Sequence, residues 1–243
     1  MLFGALVLKL GGAPFHFWFP QVINGLLWPQ AIILMTIQKV GPLLLLCYLV
    51  YLGIRLFELC VVRILSAIAG ALGGINQTSL RKIMAFSSIN HIGWILAGIS
   101  ISELAIGIYF VFYCLIRLSI AFLFQLKQIF HFNHVLRFKM PIVMKILTFF
   151  SLLSLGGLPP FTGFVPKWIL VQELASKRNF ILLRILIASA LVTLYFYMRV
   201  SLLSFTLSRP EPKVLGERKP LFKWLVPYLV FVNFFGLLIP LFI

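Results

Sequence analysis

Four ionisable side chains interrupt the apolar runs of this sequence: Lys9, Lys39, His91 and Lys167. A charged group in the middle of a membrane helix costs about 2.5–3.5 kcal/mol on insertion scales, so such groups are as a rule functional or paired. Each lysine lies beside a helix breaker: Lys9 before Gly11, Gly12 and Pro14, Lys39 before Gly41 and Pro42, and Lys167 directly after Pro166. Breakers free backbone carbonyls. A freed carbonyl facing an amine that can gain or lose a proton is what a proton-binding site needs. His91 belongs to the most polar internal run, Ala71 to Trp94, with Ser87, Ser88 and Asn90. Ser87 and His91 are four apart and Ser88 is three before His91, so they share a helix face. Structural readings stand beside the chemical one. Lys9 could snorkel to the headgroups, Lys39 could be satisfied by carbonyls released at Pro42, and the serines and Asn90 could act as interhelical glue.

The composition states what must position these groups. Of the 243 residues 62% are hydrophobic and the mean hydropathy is +1.08, far above the ~45–50% apolar content of a soluble domain. Continuous runs of about 20 apolar residues require transmembrane helices rather than barrel strands. Twenty-one Lys and Arg face five acids, all Glu, for a net charge of +16. In a soluble chain that excess would suggest nucleic acid. Here it lies mostly between apolar spans, so no nucleic-acid partner is expected, and membrane orientation explains it. Cys47, Cys60 and Cys114 lack metal-ligand spacing and read as small buried hydrophobes. His131 and His134 of the basic Lys127–Lys139 loop have no third ligand, so no metal is expected there. The opening MLFGALVLKLGG lacks a small-residue cleavage site and is not read as a signal peptide.

The resulting expectation is an all-α, polytopic transmembrane helix bundle of about eight spans, forming a single domain over residues 1–243. The spans run over about 1–19, 25–51, 57–75, 83–99, 104–126, 141–176, 180–204 and 221–243. Arg55, Glu58 and Arg63 cluster at the start of the third, where Glu58 is read as an arginine's interfacial partner. Arg117, inside the fifth, shows no partner in the sequence and is expected to face a protein neighbour. The 36 residues from Pro141 to Ser176 would make a straight helix of about 54 Å, against a hydrocarbon core of about 30 Å. GGLPPFTG at its centre predicts a helix broken near Gly156–Gly163, with Lys167 in the first turn of its second half. Leu10–Pro20 (LGGAPFHFWFP) and Leu155–Pro166 (LGGLPPFTGFVP) align with one gap. Five spans separate them, so they run in opposite directions, as in an inverted repeat. The same span count puts Arg81, Lys82, Lys127, Arg137, Lys139, Arg209, Lys213, Arg218 and Lys219 on one side. Arg55, Lys177 and Arg178 fall on the other, and the positive-inside rule turns the first side inward.

The run GGINQTSLRKIMAFSSINHIGW, with LMTIQKVGPLL around Lys39 and PFHFWFP after Lys9, resembles the signature of the mitochondrially encoded chain 2 family of NADH-ubiquinone oxidoreductase. These are antiporter-like membrane subunits of proton-pumping respiratory complex I. The resemblance implies an inverted repeat with a broken helix in each half. It implies a proton path through Lys9, Lys39, His91 and Lys167, with Lys39 as the central-axis lysine. It also implies the mitochondrial inner membrane with the basic loops on the matrix side, and other membrane-arm subunits as partners, with cardiolipin a candidate lipid. Protons are the transported species. The chain shows neither a dinucleotide glycine fingerprint nor an iron–sulfur cysteine cluster. No cofactor is therefore expected on it, and NADH, FMN, iron–sulfur clusters and ubiquinone belong to other subunits. The resemblance covers most of this chain but only the later part of a typical family member. Family members carry an earlier GLE-type segment whose glutamate partners the lysine matching Lys9. The expectation is a shortened subunit whose partner carboxylate comes from elsewhere, or a start that lies further upstream. The competing expectations are a stand-alone cation/proton antiporter, which calls for an acidic cation site within a span, and a purely structural membrane subunit.

Overall fold

The computed structural model describes residues 1–53, 56–126, 128–132 and 142–206, together with Tyr228, Val230, Phe231 and Asn233. Arg55, Lys127, His134, Arg137, Lys139, the Ser208–Lys219 loop and most of the expected last span lie outside the described residues. Ten helices are described: α1 (Leu2–Leu10), α2 (Trp18–Gly25), α3 (Trp28–Met35), α4 (Ile37–Tyr51), α5 (Leu56–Gly74), α6 (Leu80–Ile99), α7 (Glu103–Leu126), α8 (Ile142–Gly156), α9 (Phe164–Ser176) and α10 (Phe180–Thr206). Four stretches are long and apolar enough to cross a membrane: Trp28–Tyr51, Phe57–Gly74, Leu104–Leu126 and Phe180–Leu203.

The polar helix α6 is the axis of the bundle. Of its residues only Arg81, Lys82 and Phe86 escape full burial. Its serines, Asn90 and His91 therefore face protein and not lipid, which removes the penalty that would otherwise forbid them. Helix α5 lies along it at backbone contact. A Cβ on Gly70 would collide with the Asn90 backbone nitrogen and stand 2.7 Å from the Phe86 carbonyl, and one on Gly93 would stand 2.9 Å from the Arg63 carbonyl. Small residues allow this approach, and Asn90 uses it to donate to the Ala67 carbonyl at 3.0 Å. The start of α6 is fixed by backbone bonds to the strap after α7, from Leu80 N–H to the Phe130 carbonyl and from Phe132 N–H to the Thr78 carbonyl.

The sixth expected span is discontinuous, as GGLPPFTG requires: α8 stops at Gly156 and α9 starts at Phe164. Gly157 adopts φ +76°, a left-handed conformation that glycine reaches without steric cost. The first expected span also differs from a single helix. Helix α1 has nine residues, about 14 Å at 1.5 Å per residue. Gly11 ends it at φ +74°, and the chain resumes as α2 at Trp18. The two repeat-like segments thus share a helix, a positive-φ glycine and a second helix, with the special glycine displaced by one position in the alignment. The second expected span is continuous in length but is interrupted at Thr36 (φ −118°, ψ −76°). That break comes before Lys39 and not at Gly41-Pro42, because Pro42 sits inside α4.

Candidate proton-transfer site

Lys39, placed by the first turn of α4, is 2% exposed. Its ammonium nitrogen donates to Ser88 Oγ of α6 and, at 3.3 Å, to Tyr113 OH of α7. Ser88 and Tyr113 also bond each other at 2.8 Å, and the Tyr113 hydroxyl donates to the Met35 carbonyl at 3.1 Å. That carbonyl lies at the α3–α4 interruption. The Phe19 ring of α2 covers the ammonium, its centroid 4.9 Å away. Lys39 is therefore held by two hydroxyls and two aromatic faces, and not by carbonyls released at Pro42. Hydroxyls can both give and receive a proton, so this shell exchanges protons more readily than a carbonyl cage.

One turn further along α6 stands His91. Its Nδ1 is 2.9 Å from Tyr109 OH, and its ring centroid is 5.3 Å from that of Tyr113. Two rungs therefore join α6 to α7, Ser88–Tyr113 and His91–Tyr109. They arise because residues three and four apart share a helix face. Beyond His91 lies a cavity of about 10 Å³ lined by His91, Tyr109, Tyr113, Ser154, Gly163 and Pro166 among others. That is the room one water molecule needs. The cavity opens onto the break between α8 and α9. There Lys167 Nζ donates to the Gly156 carbonyl at 2.9 Å, one of the carbonyls that a helix end leaves unpaired. The Trp94 ring lies beneath this ammonium at 5.8 Å. Ser154 Oγ meets Asn233 Oδ1 at 2.7 Å, and Thr162 N–H donates to the Asn233 carbonyl, so residue 233 helps close the break.

Three of the four expected residues are buried in this region: Lys39 and His91 beside the tyrosine rungs, and Lys167 at the helix break whose Leu155, Gly163 and Pro166 line the cavity. Lys9 does not join them. It lies on an exposed face of α1 and meets no hydrogen-bonding partner among the described residues, which corrects the expectation of a buried lysine there. The physical reason is that nine residues of α1 pack one face only, with Phe3, Val7 and Leu10 buried. Lys9 falls off that face. Arg117 is a second correction: it does not look outward. It is 1% exposed and bonds Met84 and Ser87 of α6. Tyr109 and Tyr113 were missed from the sequence because an aromatic in an apolar span is ordinary. The only available signal was their i, i+4 spacing. Among the described residues no group of His, Cys, Asp and Glu could hold a metal ion.

Residues 1–193 match the family described as "NADH:quinone oxidoreductase/Mrp antiporter, TM". The chain is 46% identical over 211 residues to NADH-ubiquinone oxidoreductase chain 2 of Anopheles gambiae, covering 86% of this chain and 60% of that one. It is 50% identical over 197 residues to the chain of the same name from Aedes aegypti, covering 80% and 56%. It therefore spans little more than half the length of the curated relatives it matches. Among solved structures, a chain of respiratory complex I from Thermus thermophilus with bound Aureothin superposes with TM-score 0.80 at 25% identity, over 97% of this chain and 56% of that one. A chain of the Mrp complex from Dietzia sp. shares the fold, with TM-score 0.73 at 19% identity over 89% of this chain and 42% of that one.

Proposed function

Since the chain belongs to the NADH:quinone oxidoreductase/Mrp antiporter transmembrane family, we propose that it is a membrane subunit of a proton-pumping NADH:ubiquinone oxidoreductase. Its part is to carry protons while other subunits transfer electrons from NADH to ubiquinone. The observation that carries this reading is a set of buried polar groups in the bundle: Lys39 bonded to Ser88 and Tyr113, His91 at hydrogen-bond distance from Tyr109 with its ring 5.3 Å from that of Tyr113, and Lys167 bonded to the Gly156 carbonyl at a helix break. A lysine out of water is disfavoured in its charged form, so a small change in neighbouring charge loads or unloads it. The hydroxyls of Ser88, Tyr113 and Tyr109 set a group that can give and take a proton at hydrogen-bond distance from Lys39 and from His91. The carbonyls at the break accept hydrogen bonds from the Lys167 ammonium and hold it in place while it is charged. NADH, FMN, iron–sulfur clusters and ubiquinone belong to partner subunits. The chain resides in the mitochondrial inner membrane with its basic loops toward the matrix. Lys9, on its exposed face, is assigned to the path only through a neighbouring segment or subunit that supplies its partner.

The test is Lys39→Ala in the assembled oxidoreductase, with the protons moved per NADH oxidised measured in sealed vesicles. The assembled variant is expected to lose proton translocation by about tenfold or more, the scale of removing one positioned proton-transfer group. Normal pumping per assembled complex would leave this chain a structural role. Recovery of the chain only outside the oxidoreductase would favour a separate antiporter.

A further inference from the structure

The break between α8 and α9 is spanned by one residue that neither helix contains. Asn233 is 0% exposed and stands 79 positions beyond Ser154. Its side chain and its backbone hold opposite lips of the break. Ser154, in the last turn of α8, donates its hydroxyl proton to Asn233 Oδ1 at 2.7 Å. Thr162, just before α9, donates its backbone N–H to the Asn233 carbonyl at 3.2 Å. The lips also meet directly, since a Cβ on Gly163 would collide with the Ser154 carbonyl. A serine inside a helix commonly bonds a carbonyl three or four residues back. Ser151 and Ser189 do so, with Thr148 and Leu186. Ser154 has the same option in the Ser151 carbonyl at 2.8 Å, yet it also reaches across to Asn233. A hydroxyl carries one proton, so the two acceptors compete for it. The bond across the break exists only while Asn233 presents its oxygen.

We propose that Asn233 is a positioning residue: by fastening the end of α8 to the start of α9, it keeps the Gly156 carbonyl within reach of the Lys167 ammonium. This rests on the reading of Lys167 as a proton-carrying group. The ammonium is anchored on the Gly156 carbonyl at 2.9 Å, with the Leu155 carbonyl at 3.5 Å. Those carbonyls belong to the end of α8, one and two residues beyond Ser154, whereas Lys167 sits in the first turn of α9. Donor and acceptor therefore lie on different helices, and their separation follows from how the two lips are held. A shift of about 1 Å in a positioned group can cost about 100-fold in rate. An amide suits the task because it offers an acceptor without bringing a charge into the bundle. The bond from Thr162 uses the backbone of Asn233, so it survives any change of side chain and keeps residue 233 in place. The bond from Ser154 uses the side chain alone. One lip can thus be released while the other stays fastened.

The experiment releases that lip in the assembled oxidoreductase and reads protons moved per NADH oxidised in sealed vesicles. Asn233→Leu fills the same space without the oxygen, and Ser154→Ala removes the hydroxyl from the other side. Each is expected to lower the ratio by about fivefold, the scale of one buried hydrogen bond, with the amount of assembled complex on native gels unchanged. The double variant should fall no further than the larger single loss, because the same bond is removed twice. A normal ratio in either single variant overturns the proposal, and so does a double variant whose loss is the product of the two. Less assembled complex at an unchanged ratio would make Asn233 a packing residue and overturns it as well. If Asn233→Leu does not assemble, Ser154→Ala decides: a fivefold loss supports the proposal and a normal ratio ends it. Lys167→Ala is measured alongside. If it pumps normally, the reading of Lys167 falls and this proposal with it. If it fails while Asn233→Leu and Ser154→Ala pump normally, only the Asn233 proposal falls.

Discussion

Tyr113 ties the site together through one oxygen, which touches the Lys39 ammonium, Ser88 Oγ and the Met35 carbonyl. Tyr113→Phe keeps the ring that covers Lys39 and deletes only that oxygen. A buried hydrogen bond to a charged group contributes about 1.5–3 kcal/mol, so proton translocation should fall by about tenfold or more while assembly on native gels is unchanged. Equal pumping by the Phe variant would mean that Ser88 alone serves Lys39. The residue scale also shows what the sequence could say. Lys39, His91 and Lys167 were legible as polar groups buried among the helices, because polarity inside an apolar run has few explanations. Tyr109 and Tyr113 were not, because their rings look like packing and only the fold reveals where the hydroxyls point. Arg117 was visible but misassigned outward. Its partners are a carbonyl, a serine and a thioether, 30 to 82 positions away, and no charge pattern announces such partners. Lys9 stands on the exposed face of the short helix α1, apart from the other three.

Glycines decide how closely the elements meet. Gly157 holds φ +76°, and a Cβ there would also stand 3.0 Å from Lys167 Nζ. Gly157→Ala therefore strains the backbone by about 1–2 kcal/mol and pushes the ammonium off the Gly156 carbonyl. The expected outcome is an assembled complex with reduced pumping. Gly70→Val works differently. It forces a branched side chain against the backbone of α6 at Asn90, so α5 and α6 must separate. Assembly, read on native gels, should be lost before activity can be measured. If Gly70→Val assembles normally, the close α5–α6 contact is not required. The break that carries Gly157 was readable from GGLPPFTG because paired prolines cannot continue a helix. The break at Thr36 was not, because a residue without φ restriction bends there for tertiary reasons, while the proline that drew attention sits inside α4.

The whole molecule supplies the sidedness. Lys177 Nζ donates to the carbonyls of Ser100 and Ile101 at 3.1 and 3.0 Å, just past the C-terminus of α6. Arg199, near the far end of α10, donates to the Ile75 carbonyl at 3.1 Å, just before the N-terminus of α6. The turn between α9 and α10 and the turn between α5 and α6 therefore lie at opposite ends of a 20-residue helix. That is a separation of about 30 Å, the thickness of the hydrocarbon core. Arg81, Lys82 and Arg199 share the second end, which the orientation proposed above, with the basic loops inward, turns toward the matrix. Asn76 and Asn179 are exposed at the two ends and report on this directly. With the outer mitochondrial membrane removed and the inner membrane sealed, a membrane-impermeant maleimide should label Asn179→Cys above the background of Cys47, Cys60 and Cys114, and leave Asn76→Cys unlabelled until the inner membrane is opened. The reverse pattern would invert the chain in the membrane.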